Sequence, residues 1–301
     1  MAERVLIGSR KGLITLRKDG SRWAAGPASH LGLPVSYAMH DPSTGALWAA
    51  LDHGHWGTKL QRSDDDGETW REVPAPSYPE GSVVSEGKPA TTDYLWVIAA
   101  DPHRPGRVYI GTEPGGLFVA DEGGPFELVE GLWNHPTRTQ WFGGGRDGAA
   151  IHSIVFDPRD DARILVGISC GGMYETTDGG ATWAPRNKGL FADFLPNPAA
   201  EVGQDPHLIV MSPTEPDVLW QQNHCGVYRS VDGGANWTDV GQKDGPVKFG
   251  FAVAVDDTDP ETAWVVPAIN DECRTTLDAA LCVCRTSDGG KTWQSLTRGL
   301  P

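Results

Sequence analysis

Three histidines carry the clearest chemical signal in this chain of 301 residues. His152 and His207 each stand five residues before a turn position, Asp157 and Ser212, and His224 follows in the string NHCG. Neutral imidazole is a common metal ligand and the readiest proton carrier near pH 7. The matched positions predict that the three rings meet, either as ligands of a divalent transition metal or as part of an acid–base pair. The alternative, in which they are hydrogen-bonded supports for long loops, stays open.

Other polar and aromatic side chains are expected beside these histidines because they lie in long loops that should leave the β-sheets on the same side as the histidines. Arginine grips carboxylates with two hydrogen bonds, and a tryptophan beside carboxylates suits the apolar face of a sugar ring, although Trp141 could instead only anchor its loop. Besides His152 and His207, the candidates for catalysis are Arg138, Glu86 and Glu113, and those for substrate binding are Trp141, Arg146, Asp147, Lys88 and Glu272. Together they predict a small-molecule or glycan ligand of unspecified identity.

A repeated octapeptide indicates the scaffold that positions these residues. The string SDDDGETW at 63–70 returns as TTDGGATW at 176–183, SVDGGANW at 230–237 and TSDGGKTW at 286–293. Its aspartate can accept backbone N–H groups, its glycine suits positive φ, and its tryptophan can pack on a sheet. We therefore expect a turn-closing structural role for Asp65, Asp178, Asp232 and Asp288.

Two weaker copies, KDGSRW at 18–23 and ADEGGPF at 120–126, raise the number of units to six. Each full unit has four short alternating strands, and helix signals are almost absent. Such units, about 50 residues long, predict an all-β fold: a β-propeller of four-stranded antiparallel blades. We expect one domain over residues 1–301, with units at approximately 1–34, 35–94, 95–150, 151–206, 207–249 and 250–301.

The first unit is one strand short. Residues 5–9, residues 12–17 and a short strand from Trp23 match the second, third and fourth strands of a blade, and only QSLTRGLP follows Trp293. The fold is then either a six-bladed ring with a three-stranded first blade or an incomplete seven-bladed ring. We expect the second, in which a further repeat supplies the missing strand.

The octapeptide resembles the Asp-box, or BNR repeat, of sialidases, sortilin-type receptors and many uncharacterised propellers. The strings WNHPTRTQW, IHSI, ISCGG, QDPH and FGFAVAV resemble a bacterial group labelled sialidase-like or glycosyl-hydrolase-like. This resemblance covers nearly the whole chain and implies a propeller that binds or acts on a carbohydrate, as a hydrolase or a lyase. Because propellers host unrelated chemistries, a non-catalytic binding or assembly propeller is the alternative.

Sialidase chemistry itself is not expected. That family uses an arginine triad, a tyrosine nucleophile assisted by a glutamate, an aspartate acid/base and an Arg-Ile-Pro motif. No Arg-Ile-Pro occurs here, and the equivalent region reads GSRKGL. The histidine-rich face is closer to that of propeller polysaccharide lyases, which use rim histidines, sometimes around a divalent metal.

Composition narrows the partners and the compartment. A net charge of −15 argues against nucleic acid and anionic membranes as partners. No apolar signal segment opens the sequence, and five cysteines, an odd number, do not suggest a disulfide framework. We therefore expect a cytoplasmic protein with reduced thiols. Cys282 and Cys284 could hold a metal, but packing is the simpler interpretation.

Overall fold

The computed structural model describes residues 3–144 and 146–300, and the chain divides into two compact units, residues 1–133 and 134–301. Each unit contains three antiparallel blade sheets whose strands follow one another in chain order, and unit 1 has a two-stranded sheet in addition. The fold is therefore all-β, a six-bladed propeller. The repeats left two forms open, and the six observed blades correspond to the six-bladed form, not to the incomplete seven-bladed ring that the sequence analysis favours. That the two units act as one domain stays a prediction. Helix in the described residues is confined to α1 (Glu130–Trp133) and two 3₁₀ turns, Arg138–Gln140 and Leu277–Ala279.

Unit 1 (residues 1–133) holds the first three blades and a small hairpin between the second and third in sequence. Blade 1 is β1 (Arg4–Ser9), β2 (Gly12–Asp19) and β3 (Arg22–Ala25). Blade 2 is β4 (Val35–His40), β5 (Leu47–Asp52), β6 (Thr58–Ser63) and β7 (Arg71–Val73). The hairpin is β8 (Val83–Ser85) with β9 (Lys88–Pro89), and blade 3 is β10 (Tyr94–Ala100), β11 (Val108–Glu113), β12 (Leu117–Ala120) and β13 (Glu127–Leu128).

Unit 2 (residues 134–301) holds three four-stranded blades. Blade 4 is β14 (Ile151–Phe156), β15 (Ile164–Ile168), β16 (Gly172–Thr176) and β17 (Ala184–Pro185). Blade 5 is β18 (Pro206–Met211), β19 (Leu219–Asn223), β20 (Gly226–Ser230) and β21 (Thr238–Asp239). Blade 6 is β22 (Gly250–Val255), β23 (Ala263–Pro267), β24 (Val283–Thr286) and β25 (Gln294–Leu296).

Blade 1 has three strands in the described part of the chain, as the sequence predicts. Their identity follows from one glycine: Gly12 opens β2 with φ of 135°, and the glycines that open the third strands of blades 4 and 5, Gly172 and Gly226, also have positive φ, 103° and 148°. A side chain is disfavoured in this conformation. The strands β1, β2 and β3 therefore correspond to the second, third and fourth strands of a blade.

The octapeptide closes the turn between the third and fourth strands of its blade. In blade 4 the buried Thr176 hydroxyl donates to Asp178 Oδ1 (2.7 Å) and accepts the N–H of Gly180 (2.9 Å). Asp178 then accepts the backbone N–H (2.9 Å) and the hydroxyl (2.6 Å) of Thr182. Asp65, Asp232 and Asp288 accept the equivalent hydrogen bonds in blades 2, 5 and 6.

The octapeptide tryptophans stand one residue before the fourth strand, and in blades 5 and 6 they contact the preceding blade. The indole N–H of Trp237 donates to the carbonyl of Arg186 (2.9 Å), and that of Trp293 donates to the carbonyl of Val240 (2.8 Å). The sequence predicts that these rings pack on the sheet, and Trp237 packs in one core cluster with Leu219 and Tyr228 of its own blade. Because the indole N–H groups also hydrogen-bond to the blade before, the octapeptide joins neighbouring blades of unit 2 as well.

A β-bulge interrupts the first strand of every blade from 2 to 6. The pairing with the second strand shifts around the second residue of the first strand in blades 2, 4, 5 and 6 and around the third residue in blade 3. A bulged residue is unpaired, and its side chain is re-aimed relative to the regular strand. The five residues at this position are Ser36, Trp96, His152, His207 and Phe251.

The apolar core lies between consecutive blades of a unit. Between blades 5 and 6, Trp220 and Val253 are buried together with Cys284. The Cys284 thiol packs there near the hydroxyl of Ser295, at 3.5 Å, which fits the packing interpretation of this cysteine. All five cysteines are free thiols.

Candidate functional site

His207 lies at the bulge of β18, and its ring is held on both sides. Its Nδ1 donates to the carbonyl of Gly250 in blade 6 at 2.6 Å, and its ring stacks on Phe251 with centroids 4.7 Å apart and planes 17° apart. Because a carbonyl can only accept, the proton of a neutral His207 sits on Nδ1. Nε2, the other nitrogen, then faces Asp205 Oδ2 at 3.4 Å.

Asp205 is buried immediately before β18 and is fixed from blade 4. Its Oδ1 accepts the hydroxyl of Ser169 and the backbone N–H of Cys170, both at 3.0 Å. Cys170 has φ of 48°, in the left-handed region that favours glycine, so strained backbone presents this N–H. Burial opposes ionisation of Asp205, but the facing imidazoles and the N–H of Cys170 hold the pKa of its carboxyl well below its usual range.

His224 occupies the two-residue turn between β19 and β20, as the NHCG string predicts. Its Nδ1 lies 3.4 Å from Asp205 Oδ2, and its Nε2 lies 3.9 Å from Asp271 Oδ2. The facing Asp205 carboxylate raises the pKa of His224 above 6.5, against the opposing effect of burial. The rings of His207 and His224 are 5.6 Å apart.

Asp205, His207 and His224 form the His–Asp cluster. In the described residues, one ligand atom from each can be chosen so that all three lie within 4.8 Å of one another. His207 and His224 were expected to meet, and they do. Asp205, which the sequence places in the QDPH turn, takes the position in this group that the sequence analysis gives to His152.

His152 is buried, with 8% of its surface exposed, and lies within electrostatic reach of Asp205 and His207. Its Nδ1 hydrogen-bonds to Ser153 Oγ at 3.0 Å, and its buried Nε2 makes no hydrogen bond to the described residues. Burial lowers the pKa of His152 to about 4, so the ring is neutral near pH 7. His152 matches His207 in register, because both occupy the bulge of a first strand.

A cleft with a volume of about 600 Å³ opens beside His224, within the range typical of small-molecule sites. It is lined by His224 and Phe249 and by the exposed apolar side chains of Phe191 and Ile269. Polar side chains also line the cleft, namely three carboxylates, two amines and two amides: Asp193, Asp239, Asp271, Lys243, Lys248, Gln242 and Asn270. The cleft thus combines apolar surfaces with groups that can bind hydroxyls.

The other predicted site residues of unit 2 lie in its loops. Arg138 begins a 3₁₀ turn, and the indole N–H of the half-buried Trp141 donates to the hydroxyl of Tyr174 at 2.9 Å. This hydrogen bond helps to anchor the loop of Trp141, and a role of its ring in substrate binding stays a prediction. Arg146, Asp147 and Glu272 are exposed. None of these five side chains lines the cleft beside His224, although Glu272 follows Asp271 directly.

The predicted residues of unit 1 lie in two places. Glu86 is exposed at the tip of the hairpin formed by β8 and β9, and Lys88 is exposed in β9. Glu113 is buried at the end of β11, with 3% of its surface exposed, opposite Tyr94. Their roles in catalysis and substrate binding stay predictions.

No family model matches the chain. The curated proteins that are similar to it include the oligoxyloglucan-reducing end-specific xyloglucanase of Emericella nidulans, which is 24% identical over 229 residues. That alignment covers 67% of this chain and 27% of the relative, so the chain spans about a quarter of the relative's length. Membership of the Asp-box family therefore stays a prediction.

The solved structures that are similar to this chain include GH74 enzymes and YCF48. The GH74 xyloglucanase from Xanthomonas campestris has a TM-score of 0.67 at 18% identity, over 99% of this chain and 44% of that one. A structure of YCF48 bound to D1 peptide has a TM-score of 0.57 at 15% identity, over 99% of this chain and 80% of that one. At these identities the likeness shows the fold, which resembles that of GH74 glycosyl hydrolases.

Within the part of the chain that the structure describes, no helix has the length and apolar character needed to span a membrane.

Proposed function

We propose that this chain binds a carbohydrate or similar small polar ligand in the cleft beside His224. In the catalytic version of the proposal, the chain also cleaves this ligand. The observation that carries the proposal is the double position of His224. Its Nδ1 faces the buried carboxylate of Asp205, and its ring lines the open cleft. A ligand in the cleft would thus meet an imidazole whose orientation is fixed from within the fold.

The lining of the cleft suits a sugar. Phe191 and Ile269 expose 52% and 42% of their surfaces and can pack against the apolar face of a pyranose ring. Asp193, Asp239 and Asp271 can accept hydrogen bonds from its hydroxyls. Pairs of carboxylates are also the groups with which most glycoside hydrolases act.

The comparisons support a carbohydrate-active propeller and not a sialidase, because the curated relatives are xyloglucanases. In unit 2, Arg138 and His152 remain candidates for catalysis, and Trp141, Arg146, Asp147 and Glu272 remain candidates for substrate binding. Glu86 and Glu113 of unit 1 keep their predicted catalytic role and Lys88 its predicted role in substrate binding, separately from the cleft beside His224.

Calorimetric titration with xyloglucan oligosaccharides, alongside a panel of neutral and acidic oligosaccharides, tests the proposal. We expect saturable binding of at least one sugar. His224→Gln and Asp271→Asn should each weaken it about tenfold, the equivalent of one lost hydrogen bond to a charged group, about 1.5 kcal/mol. The matched control is His135→Gln, since His135 is a half-buried histidine of the same unit that hydrogen-bonds to Thr137. Reducing-end release from the bound sugar tests the catalytic version.

Two results would contradict the proposal. If no sugar binds, the ligand is not a carbohydrate. If a sugar binds equally well to the wild type and to His224→Gln, the binding site lies elsewhere.

A second candidate is a non-catalytic propeller that binds a peptide. It is favoured by the likeness to YCF48 bound to D1 peptide, which extends over most of both chains. The exposed phenyl rings near His224 could hold apolar peptide side chains: Phe142, Phe191 and Phe194 expose 41%, 52% and 40% of their surfaces. Saturable binding of an extended peptide in the same calorimetric titration, without binding of any sugar, would select this candidate.

The proposal also includes a cytoplasmic location and excludes nucleic acid as a partner. The first is supported by the five free thiols, which suit a reducing compartment. The second is supported by the net charge of −15, which opposes binding to a phosphate backbone.

A further inference from the structure

Three possible ligand atoms of the His–Asp cluster converge beside a buried carboxylate. Nδ1 of His207 is committed as a donor to the carbonyl of Gly250, so Nε2 is the nitrogen that faces Asp205 Oδ2, 3.4 Å away. Nδ1 of His224 faces the same oxygen, also at 3.4 Å. A carboxylate oxygen that lies between two imidazole nitrogens is held either by N–H groups of the rings or by a metal ion that all three atoms share.

The distances favour a metal ion. A charge-assisted N–H···O bond between imidazolium and carboxylate is about 2.7–2.9 Å long. Here Asp205 Oδ2 lies 3.4 Å from His207 Nε2 and 3.4 Å from His224 Nδ1. Two ligand atoms on a tetrahedral zinc ion with bonds of about 2.0–2.1 Å are about 3.3–3.4 Å apart. Both separations therefore match a shared metal better than a pair of salt bridges.

Each member of the cluster also has an outer partner. Metal-binding histidines usually donate their second nitrogen to a carbonyl or carboxylate, and metal-binding carboxylates are themselves hydrogen-bonded. His207 has the carbonyl of Gly250, and Asp205 has Ser169 and Cys170 on the oxygen that faces away from the imidazoles. His224 has the Asp271 carboxylate 3.9 Å from its Nε2. The cluster thus has the two layers of a built metal site.

We propose that Asp205, His207 and His224 bind one divalent transition-metal ion next to the cleft that His224 lines. Two imidazoles and one carboxylate suit Zn²⁺ or Fe²⁺ and disfavour Mg²⁺ and Ca²⁺, which prefer oxygen ligands. Three protein ligands are also the number found in catalytic zinc sites, which keep a position for water or substrate. The metal site does not depend on which ligand the cleft binds.

Cobalt substitution tests the site. The full chain is stripped with a chelator and titrated with CoCl₂ without any sugar, while visible absorption is recorded. We expect saturation at one Co²⁺ per chain and loss of the bands on addition of ZnCl₂. His224→Gln and His207→Gln should each weaken Co²⁺ binding by about 100-fold or more, since even outer partners of a metal site contribute roughly 10–100-fold. His135→Gln should bind Co²⁺ like the wild type.

A second measurement covers the case in which a variant does not fold. In the wild type, Zn²⁺ should shift the ring-proton NMR signals of His207 and His224 and leave those of His135 in place. Absence of saturable Co²⁺ binding in the wild type, or binding that survives both substitutions, overturns the metal site. Sugar binding to a protein that shows no saturable Co²⁺ binding would overturn this inference alone, whereas Co²⁺ binding without binding of any sugar would overturn only the carbohydrate proposal.

Discussion

The buried hydroxyl that begins the octapeptide offers the sharpest test of the scaffold, through the substitution Thr176→Val. Valine keeps the shape of threonine but removes the hydroxyl, which is in a residue only 1% exposed. The buried N–H of Gly180 then loses its acceptor at 2.9 Å, and Asp178 loses a donor at 2.7 Å. A buried donor without a partner costs about 1–3 kcal/mol.

We therefore expect the free energy of unfolding to fall by about 2 kcal/mol. If unit 2 (residues 134–301) unfolds cooperatively, this loss corresponds to a fall in Tm of about 4–8 °C. Urea denaturation followed by tryptophan fluorescence measures the change. Thr286→Val, which removes the same hydrogen bonds from blade 6 at 2.8 and 2.9 Å, should have a similar effect. Thr297→Val, at an exposed position, is the control and should stay within about 0.5 kcal/mol. An unfolding midpoint for Thr176→Val equal to that of Thr297→Val would refute the assigned role of the hydroxyl.

Three further predictions concern unit 2. Hydrogen bonds from Thr182 lower the pKa of Asp178 from 3.8 to about 2, so the stability that its ionised form provides is present above pH 3.8 and lost as the pH falls through 2. The difference in unfolding free energy between the wild type and Asp178→Asn should therefore narrow as the pH falls from 3.8 to 2. A difference that stays constant over this range would contradict the ionised role of Asp178. A methyl group added by Gly167→Ala would lie 3.0 Å from His152 Cε1, so we expect overpacking to lower stability by about 1–3 kcal/mol in urea denaturation; an unchanged midpoint would mean that the strand can shift. Trp237→Phe removes the N–H that bonds blade 4 and should cost about 1 kcal/mol by the same assay, whereas no loss would indicate that ring packing alone joins the blades.

The fold could be predicted from the sequence because its main signal is local. The hydrogen bonds of the octapeptide connect residues two to four positions apart, such as Thr176 with Asp178 and Gly180. A pattern of that range is visible in the sequence as a repeat. The three strands of blade 1 could be counted in the same way, since Gly12 marks the start of β2.

The site could be predicted only in part because it joins three blades. His207 and His224 were found from their positions in a first strand and a turn. Asp205 was not recognised as their common partner, because it is held by Ser169 and Cys170, more than 30 positions earlier. Its place two residues before His207, in QDPH, was the available signal. The hairpin that carries Lys88 was expected to be a plain loop.

The bulge in the first strand of blades 2 to 6 has a consequence for how such a protein can change. One residue per blade is exempt from the ladder of hydrogen bonds, so its side chain can be exchanged without disturbing the register of the hairpin. The side chain at this position is a hydroxyl in Ser36, an indole in Trp96, an imidazole in His152 and His207, and a phenyl ring in Phe251. A mutant library confined to these positions would vary the chemical repertoire of the chain while the repeated turns stay constant. When the sequences of such blades are aligned, changes of function would then appear mainly as substitutions at the one aligned position that corresponds to the bulge.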